Sequence, residues 1–426
     1  MLYPRQISAI LRRVSVNCTE TTFRYERLRA VSGGILESAA TTFLLLIAVS
    51  HFKADATAKG LISIGGSIGL MLGPVVVGMM ERAQLPAARG AARAAAIGAA
   101  CFSIMALVPV LPVYVIGAMI AMASASATIP LMTQVYQDNY PESSRGRLFS
   151  RALMIRIGTA AIFSAAAGWL LNQNMEFYLR WLLLTFALAF VFASWCFSKI
   201  PSLPLVNSGS AHPLRAFRAV RDDRLFRWTL LCWMLMGFAN LMMFPLRVEY
   251  LANPKYEGML KMQFAPVEVA LLVGVIPNAA RFLLSPLWGW LFDRMNFFVM
   301  RILLNLGFAL GIFSFFTGSD MTSLVFGAII FGVANAGGDV AWGLWVTKFA
   351  PPERVADYMS VHTFFTGIRG VAAPLLGFHL ISPNSLIPMA AVASGLILAA
   401  TLMLIPEIRW GRKTRPGITV VENVSE

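Results

Sequence analysis

Charge is scarce in this sequence. Only 13% of its 426 residues are Asp, Glu, Lys or Arg, 58% are hydrophobic, and the mean hydropathy is +0.68. A soluble chain of this length cannot show so apolar an exterior to water without aggregating, so a soluble enzyme or binding module is excluded. Cysteine is scarce too. Cys18, Cys101, Cys196 and Cys232 stand far apart, which offers neither a disulfide framework nor a zinc spacing. The four histidines (His51, His212, His362 and His379) are scattered and form no metal motif. HExxH and the phosphate loop are missing. Neither a membrane hydrolase nor an ATP-driven pump is therefore indicated, and no cofactor is expected. The first 28 residues lack the apolar core of a signal peptide.

What the chain does have is long uncharged runs. Roughly 20 apolar residues, at about 1.5 Å of rise each, cross the hydrocarbon core of a bilayer. Such runs are expected near 29–50, 57–80, 89–109, 111–136, 147–171 and 176–198. They recur near 228–251, 266–292, 299–317, 321–347, 356–380 and 384–405. The fold class is thus an all-α membrane protein of twelve spans, because open sheet edges do not survive in lipid. Residues 1–28 read as an N-tail, 29–198 and 228–405 as two six-helix halves, 199–227 as a central loop and 406–426 as a C-tail. Within the loop, HPLRAFRAVRDDRLFR reads as a short amphipathic helix lying on the membrane face.

The net charge of +14 reflects orientation rather than nucleic-acid binding. With both termini placed in the cytoplasm, 26 of the 35 Lys and Arg fall on cytoplasmic segments and 6 on outer ones. That is the positive-inside bias of a multi-pass protein of the cytoplasmic membrane.

The stretch SPLWGWLFDR (Ser285 to Arg294) repeats the punctuation of GPVVVGMMER (Gly73 to Arg82), about half a chain earlier. In both, a proline stands seven residues before an acid that arginine follows. GILE (Gly34 to Glu37) and GFAN (Gly237 to Asn240) form a second pair, and PESSRGRLFS and PPERVADYMS a third. Matched motifs at half-length indicate an internal duplication. On these residues the chain resembles the major facilitator superfamily of secondary transporters. That family carries G-x-x-x-D-R after span 2 and often after span 8. Here Gly289, Asp293 and Arg294 match the second copy, while Glu81 and Arg82 match a first copy whose glycine is displaced. RGR at Arg145 to Arg147 is also typical of the family. The resemblance implies a monomer built as two six-helix bundles, with these five residues in a cytoplasmic gate. An acid at a helix C-terminus meets the negative end of the dipole and costs about 0.3–1 kcal/mol unless paired, which is consistent with a gate that supplies partners.

Each charge inside a span costs about 2.5–3.5 kcal/mol and calls for a reason. Counted from the cytoplasmic ends, Glu37 and Arg156 lie about 12 Å deep, Arg281 and Asp339 about 16 Å, and Arg369 about 19 Å. Two layers are expected: a Glu37/Arg156 pair in the first half and an Arg281/Asp339/Arg369 trio in the second. All five lie on spans that the resemblance makes cavity-lining, joined there by Asn240, Gln134 and Asn335. Glu37 suits proton exchange, or a lasting ion pair with Arg156. Asp339 suits either proton carriage or neutralisation of an arginine. Arg281 and Arg369 suit forked hydrogen bonds to a carboxylate or phosphate, or structural bonds to helix carbonyls. Many drug–proton antiporters of the superfamily carry an arginine in span 4 and a Gly-Pro pair in span 5; here span 4 holds no basic residue and span 5 no proline, which counts against a standard multidrug exporter. The expectation is a proton-coupled transporter of a small organic solute, with anions favoured. The alternative is an exporter of lipophilic compounds.

Overall fold

The computed structural model describes residues 4–204, 218–348 and 355–410. Its long helices, in chain order, are α1 (Pro4–Ser38), α2 (Ala56–Arg82), α3 (Ala87–Leu107), α4 (Leu111–Asn139), α5 (Glu142–Gln173) and α6 (Met175–Lys199). The second half supplies α7 (Arg224–Met243), α8 (Ile276–Arg294), α9 (Phe297–Thr317), α10 (Met321–Leu344), α11 (Val355–Leu380) and α12 (Leu386–Leu404). No strand occurs among the described residues. Eleven of these helices, all but α11, are long and apolar enough to cross a membrane. In α11 the polar side chains of His362, Thr363, Thr366 and Arg369 dilute an otherwise apolar run. The chain is an integral multi-pass membrane protein. Its outer wall carries Leu107, Ile162, Leu188, Leu283 and Leu402, all well exposed, as contact with acyl chains requires.

Helix starts follow local chemistry. The side chains of Asn174, Asp223, Asn296 and Asp320 accept hydrogen bonds from the first-turn N–H groups of α6, α7, α9 and α10. Of the third motif pair, the Pro-Glu opening of PESSRGRLFS starts α5 at Pro141 and Glu142. Its second copy, around Glu353, lies outside the described residues.

Two boundaries differ from the sequence reading. Helix α1 begins at Pro4 rather than near 29, so the expected N-tail continues the first span. Beyond it, Thr19 donates to the Asn139 carbonyl at 2.6 Å, and the Asn139 amide donates to Thr22 at 2.9 Å, seating this extension on the end of α4. Helix α7 begins at Arg224, so the end of the expected amphipathic helix belongs to the first span of the second half; Arg218–Asp222 is helical, and residues 205–217 lie outside the described residues. Residues 411–426 of the expected C-tail lie outside them as well.

Packing repeats at half-length. In the first half α1 packs on α5 and α6, α2 on α4, and α3 on α4 and α6. Adding six to every number gives the packing of the second half: α7 on α11 and α12, α8 on α10, and α9 on α10 and α12. The contacts between halves obey the same rule, since α2 meets α11 and α8 meets α5.

Where the halves meet is uneven. A Cβ at Gly60 would strike Leu375, one at Gly168 would strike Ala270, and one at Gly370 would strike Ser67. These positions sit toward the end where α2 begins. At the opposite end, where α2 and α8 finish at Arg82 and Arg294, a Cβ at Gly78, Gly146 or Gly289 would meet nothing within 4 Å among the described residues. Among the described residues these close approaches between the halves thus gather at the first end and not at the second, here called the basic end.

Candidate functional site

Glu37 is the hinge of the site. It lies near the end of α1, immediately before a π-helical turn, Ala39–Phe43, that leads into Leu44–Ser50. A matching π turn, Leu271–Val275, precedes α8 and packs against the first. Such single-turn bulges tend to occur at functional positions because they redirect the side chains beside them. Here they flank Glu37 on one helix and Arg281 on the other.

One carboxylate oxygen of Glu37 lies 2.8 Å from Arg156 Nε, at ion-pair distance without hydrogen-bond alignment. The other accepts a hydrogen bond from the Arg281 guanidinium. The same Arg281 nitrogen, Nη1, also donates to Asn278 (2.9 Å), and the other two face Asp339 (Nε to Oδ2 2.8 Å, Nη2 to Oδ2 2.7 Å). Four charges on α5, α1, α8 and α10 thus form one chain: Arg156, Glu37, Arg281, Asp339. Their sum is zero. Burial is graded: the side chains are 11% exposed for Arg281, 15% for Glu37, 32% for Asp339 and 38% for Arg156.

This arrangement corrects the sequence reading in two ways. The Glu37/Arg156 pair and the Arg281/Asp339 pair are one network rather than two layers. Arg369 is not part of it. Its guanidinium lies against α7, donating to the Trp233 carbonyl and packed on Gly237, where any Cβ would overlap it. The glycine of GFAN is thus explained by an arginine crossing it.

The other expected residues are dispersed. Asn335 is half-buried, four residues before Asp339 and on the same face of α10. Asn240 is half-buried on α7, with its amide oxygen buried and lacking a hydrogen bond. Gln134 is exposed and donates to Asp138 at 2.8 Å. Of the gate residues, the side chains of Glu81 and Asp293 lie outside the described residues. Arg82 is exposed at the end of α2, Arg294 lies over the Trp290 ring at 4.5 Å, and Gly289 faces open space.

Sequence reasoning missed a lock at the end where α2 begins. Lys59 on α2 donates to Glu249 at 2.8 Å, with both side chains buried. Glu249 belongs to Leu246–Ala252, the segment that continues α7 beyond Pro245. Lys255 at 2.9 Å and the Asn253 amide at 2.9 Å complete its shell. Burial beside this carboxylate pushes the nearby Tyr256 phenol up. Also missed were Glu26, which holds both Arg29 and the Tyr136 hydroxyl, and Arg301 on α9, which is 2% exposed. Arg29 and Arg301 each stand within a turn or two of a span end, where sequence alone reads a basic residue as part of a cytoplasmic loop.

No protein-family model matches the sequence, and no curated protein matches it significantly. Solved structures do match the fold. A point mutant of the nucleoside transporter NupG aligns with a TM-score of 0.69 at 15% identity, over 92% of this chain and all of that one. A D-xylose–proton symporter aligns with a TM-score of 0.62 at 16% identity, over 94% of this chain and 99% of that one. The human organic anion transporter MFSD10 aligns with a TM-score of 0.63 at 14% identity, over 92% and 99%. With its packing duplicated at half-length and these structures overlaid along nearly their whole length, the chain has the fold of the major facilitator transporters.

Proposed function

We propose that this protein is a secondary active transporter that moves a small organic solute across the cytoplasmic membrane by alternating access, coupled to protons. In this reading α11 is the twelfth span, and residues 29–198 and 228–405 are the two six-helix bundles that rock against each other. The observation that carries it is the Glu37–Arg281 ion pair, which ties α1 to α8 beneath the two matched π turns. A network whose members belong to both halves must reorganise whenever the halves move. That couples its charge state to the conformation.

Protonation of Glu37 removes its attraction for Arg281, and an anionic solute can take the place of a carboxylate on the same guanidinium. Asp339 is the partner more readily displaced, being twice as exposed as Glu37. Asn335, one turn from Asp339, and Asn240 offer hydrogen bonds nearby, and Gln134 lies farther along α4. The positive-inside bias supports a cytoplasmic basic end, which in this reading is the end that opens and closes toward the cytoplasm. Glu81, Arg82, Gly289, Asp293 and Arg294 then belong to the gate that closes when the cavity turns outward. Both termini are cytoplasmic and the protein works as a monomer.

Counterflow in proteoliposomes against nucleosides, sugars, short peptides and carboxylates tests this. Exchange by the wild type that is lost in Arg281→Ala supports the site. Exchange unchanged in that variant overturns it.

A further inference from the structure

The second half contains a cationic cluster for which the four-charge network has no use. Arg301 on α9 lies over the Trp233 ring, 3.6 Å from its centroid, and is 2% exposed. Arg369 on α11 reaches the Trp233 carbonyl from another side and is 7% exposed. His362, about two helical turns from Arg369, meets the edge of the same ring at 5.3 Å and is wholly buried. Both arginines lie within electrostatic range of this imidazole, and of each other. No carboxylate lies within ion-pair distance of either arginine among the described residues.

The cluster is also short of hydrogen bonds. Arg301 donates one nitrogen to the Met236 sulfur at 3.4 Å, a weak acceptor, and another of its nitrogens has no partner. Arg369 Nε, the Trp233 indole N–H, both His362 nitrogens and the Thr366 hydroxyl are buried without partners. Donors outnumber acceptors, and two cations stand uncompensated in a low-dielectric interior. Leaving such charges unpaired is among the most unfavourable arrangements a protein core can hold. Water would satisfy donors but not the charge.

We propose that this cluster, Arg301, Arg369, His362, Trp233 and Thr366, is a binding site for one small monovalent inorganic anion of halide size. Charge and donor count call for an anion. Size is limited by the surroundings, since every member is at most 7% exposed and Gly237 already abuts Arg369. An organic solute does not reach it. The site links α7, α9 and α11, so the anion would serve as a fixed structural counter-ion of the second half, and the proposal stands whether or not the transport reading is correct.

The test is thermal unfolding of the purified full-length protein in detergent at constant ionic strength, with sodium gluconate replaced stepwise by chloride or bromide. A ligand that binds only the folded state raises the midpoint in a saturable way. The expected result is a rise of about 3 °C or more in halide, saturating, with none in sulfate. Arg301→Met and Arg369→Met lose the rise, while the milder Thr366→Val shifts the half-saturating concentration several-fold upward. Should the arginine variants fail to fold, the wild-type titration and bromide anomalous scattering near Trp233 still decide. A midpoint indifferent to the anion, or one that moves equally in halide, sulfate and gluconate, overturns the proposal and leaves water in the cluster.

Discussion

Lys59 donates to Glu249 across 2.8 Å at a place where neither side chain meets solvent. The two residues come from opposite halves, and the bond closes the end of the bundle where α2 begins. The partners are unequal. Without Lys59, Glu249 keeps Lys255 and the Asn253 amide; without Glu249, Lys59 is a buried cation beside Phe378 with no acid.

The first prediction follows from that inequality. Breaking a buried pair by removing one partner costs about 3–5 kcal/mol, whereas removing both can be neutral. Glu249→Met should lower the thermal midpoint in detergent more than Lys59→Met. The double variant should recover part of the loss, and a double variant less stable than Glu249→Met alone would exclude the lock.

A second prediction concerns the motif glycine Gly289. A Cβ there meets nothing within 4 Å in this conformation. Replacing a helical glycine by alanine gains up to about 1 kcal/mol through backbone entropy. Gly289→Ala should thus be as stable as the wild type or slightly more so. If the basic end closes during transport, the added methyl should slow turnover. Gly34→Ala offers the contrast. Its Cβ would fall 2.7 Å from Thr159 Cβ and 2.8 Å from the Ala160 backbone, so it should destabilise the α1–α5 contact. Thermal unfolding beside initial transport rates separates the two cases.

Much of the fold was legible from the sequence. Long apolar runs carried the all-helical, multi-pass character, and the repeat of GPVVVGMMER in SPLWGWLFDR carried the packing that recurs at half-length. The five intramembrane charges were legible as well, because a charge inside an apolar run stands out. Their grouping was not. Depth counted from span ends separated Glu37 from Arg281, although one hydrogen-bonds the other. An α1 that starts at Pro4 displaces the end from which Glu37 is counted, and depth along a helix says nothing of the direction a side chain takes. Arg301 and Lys59 escaped for the opposite reason. Each lies near a helix end, where a basic residue usually means a solvated loop, and only tertiary packing buries it.

A third prediction concerns Arg281. It serves two acids at once, so its loss leaves Glu37 and Asp339 facing each other with Arg156 as the remaining cation. Arg281→Ala should abolish exchange and lower stability. Combining it with Asp339→Asn removes one excess negative charge and should restore stability toward the wild type without restoring exchange. Equal instability of the single and double variants would indicate that Arg281 acts through packing rather than charge.

The last prediction separates proton coupling from solute binding. Glu37→Gln keeps the size of the side chain and its capacity to accept from Arg281, but cannot gain or lose a proton. Arg281 retains Asp339 and Asn278 in this variant, and Arg156, the most exposed of the four charges, exchanges its lost partner for water. The fold should therefore survive. Solute exchange in counterflow, which needs no net proton movement, should persist. Accumulation driven by a pH gradient should fall to the level set by passive equilibration, because the variant has one charge state in both orientations. If Glu37→Gln still concentrates solute against its gradient as the wild type does, the proton travels elsewhere. Asp339, the other carboxylate on Arg281, would then be the residue to replace.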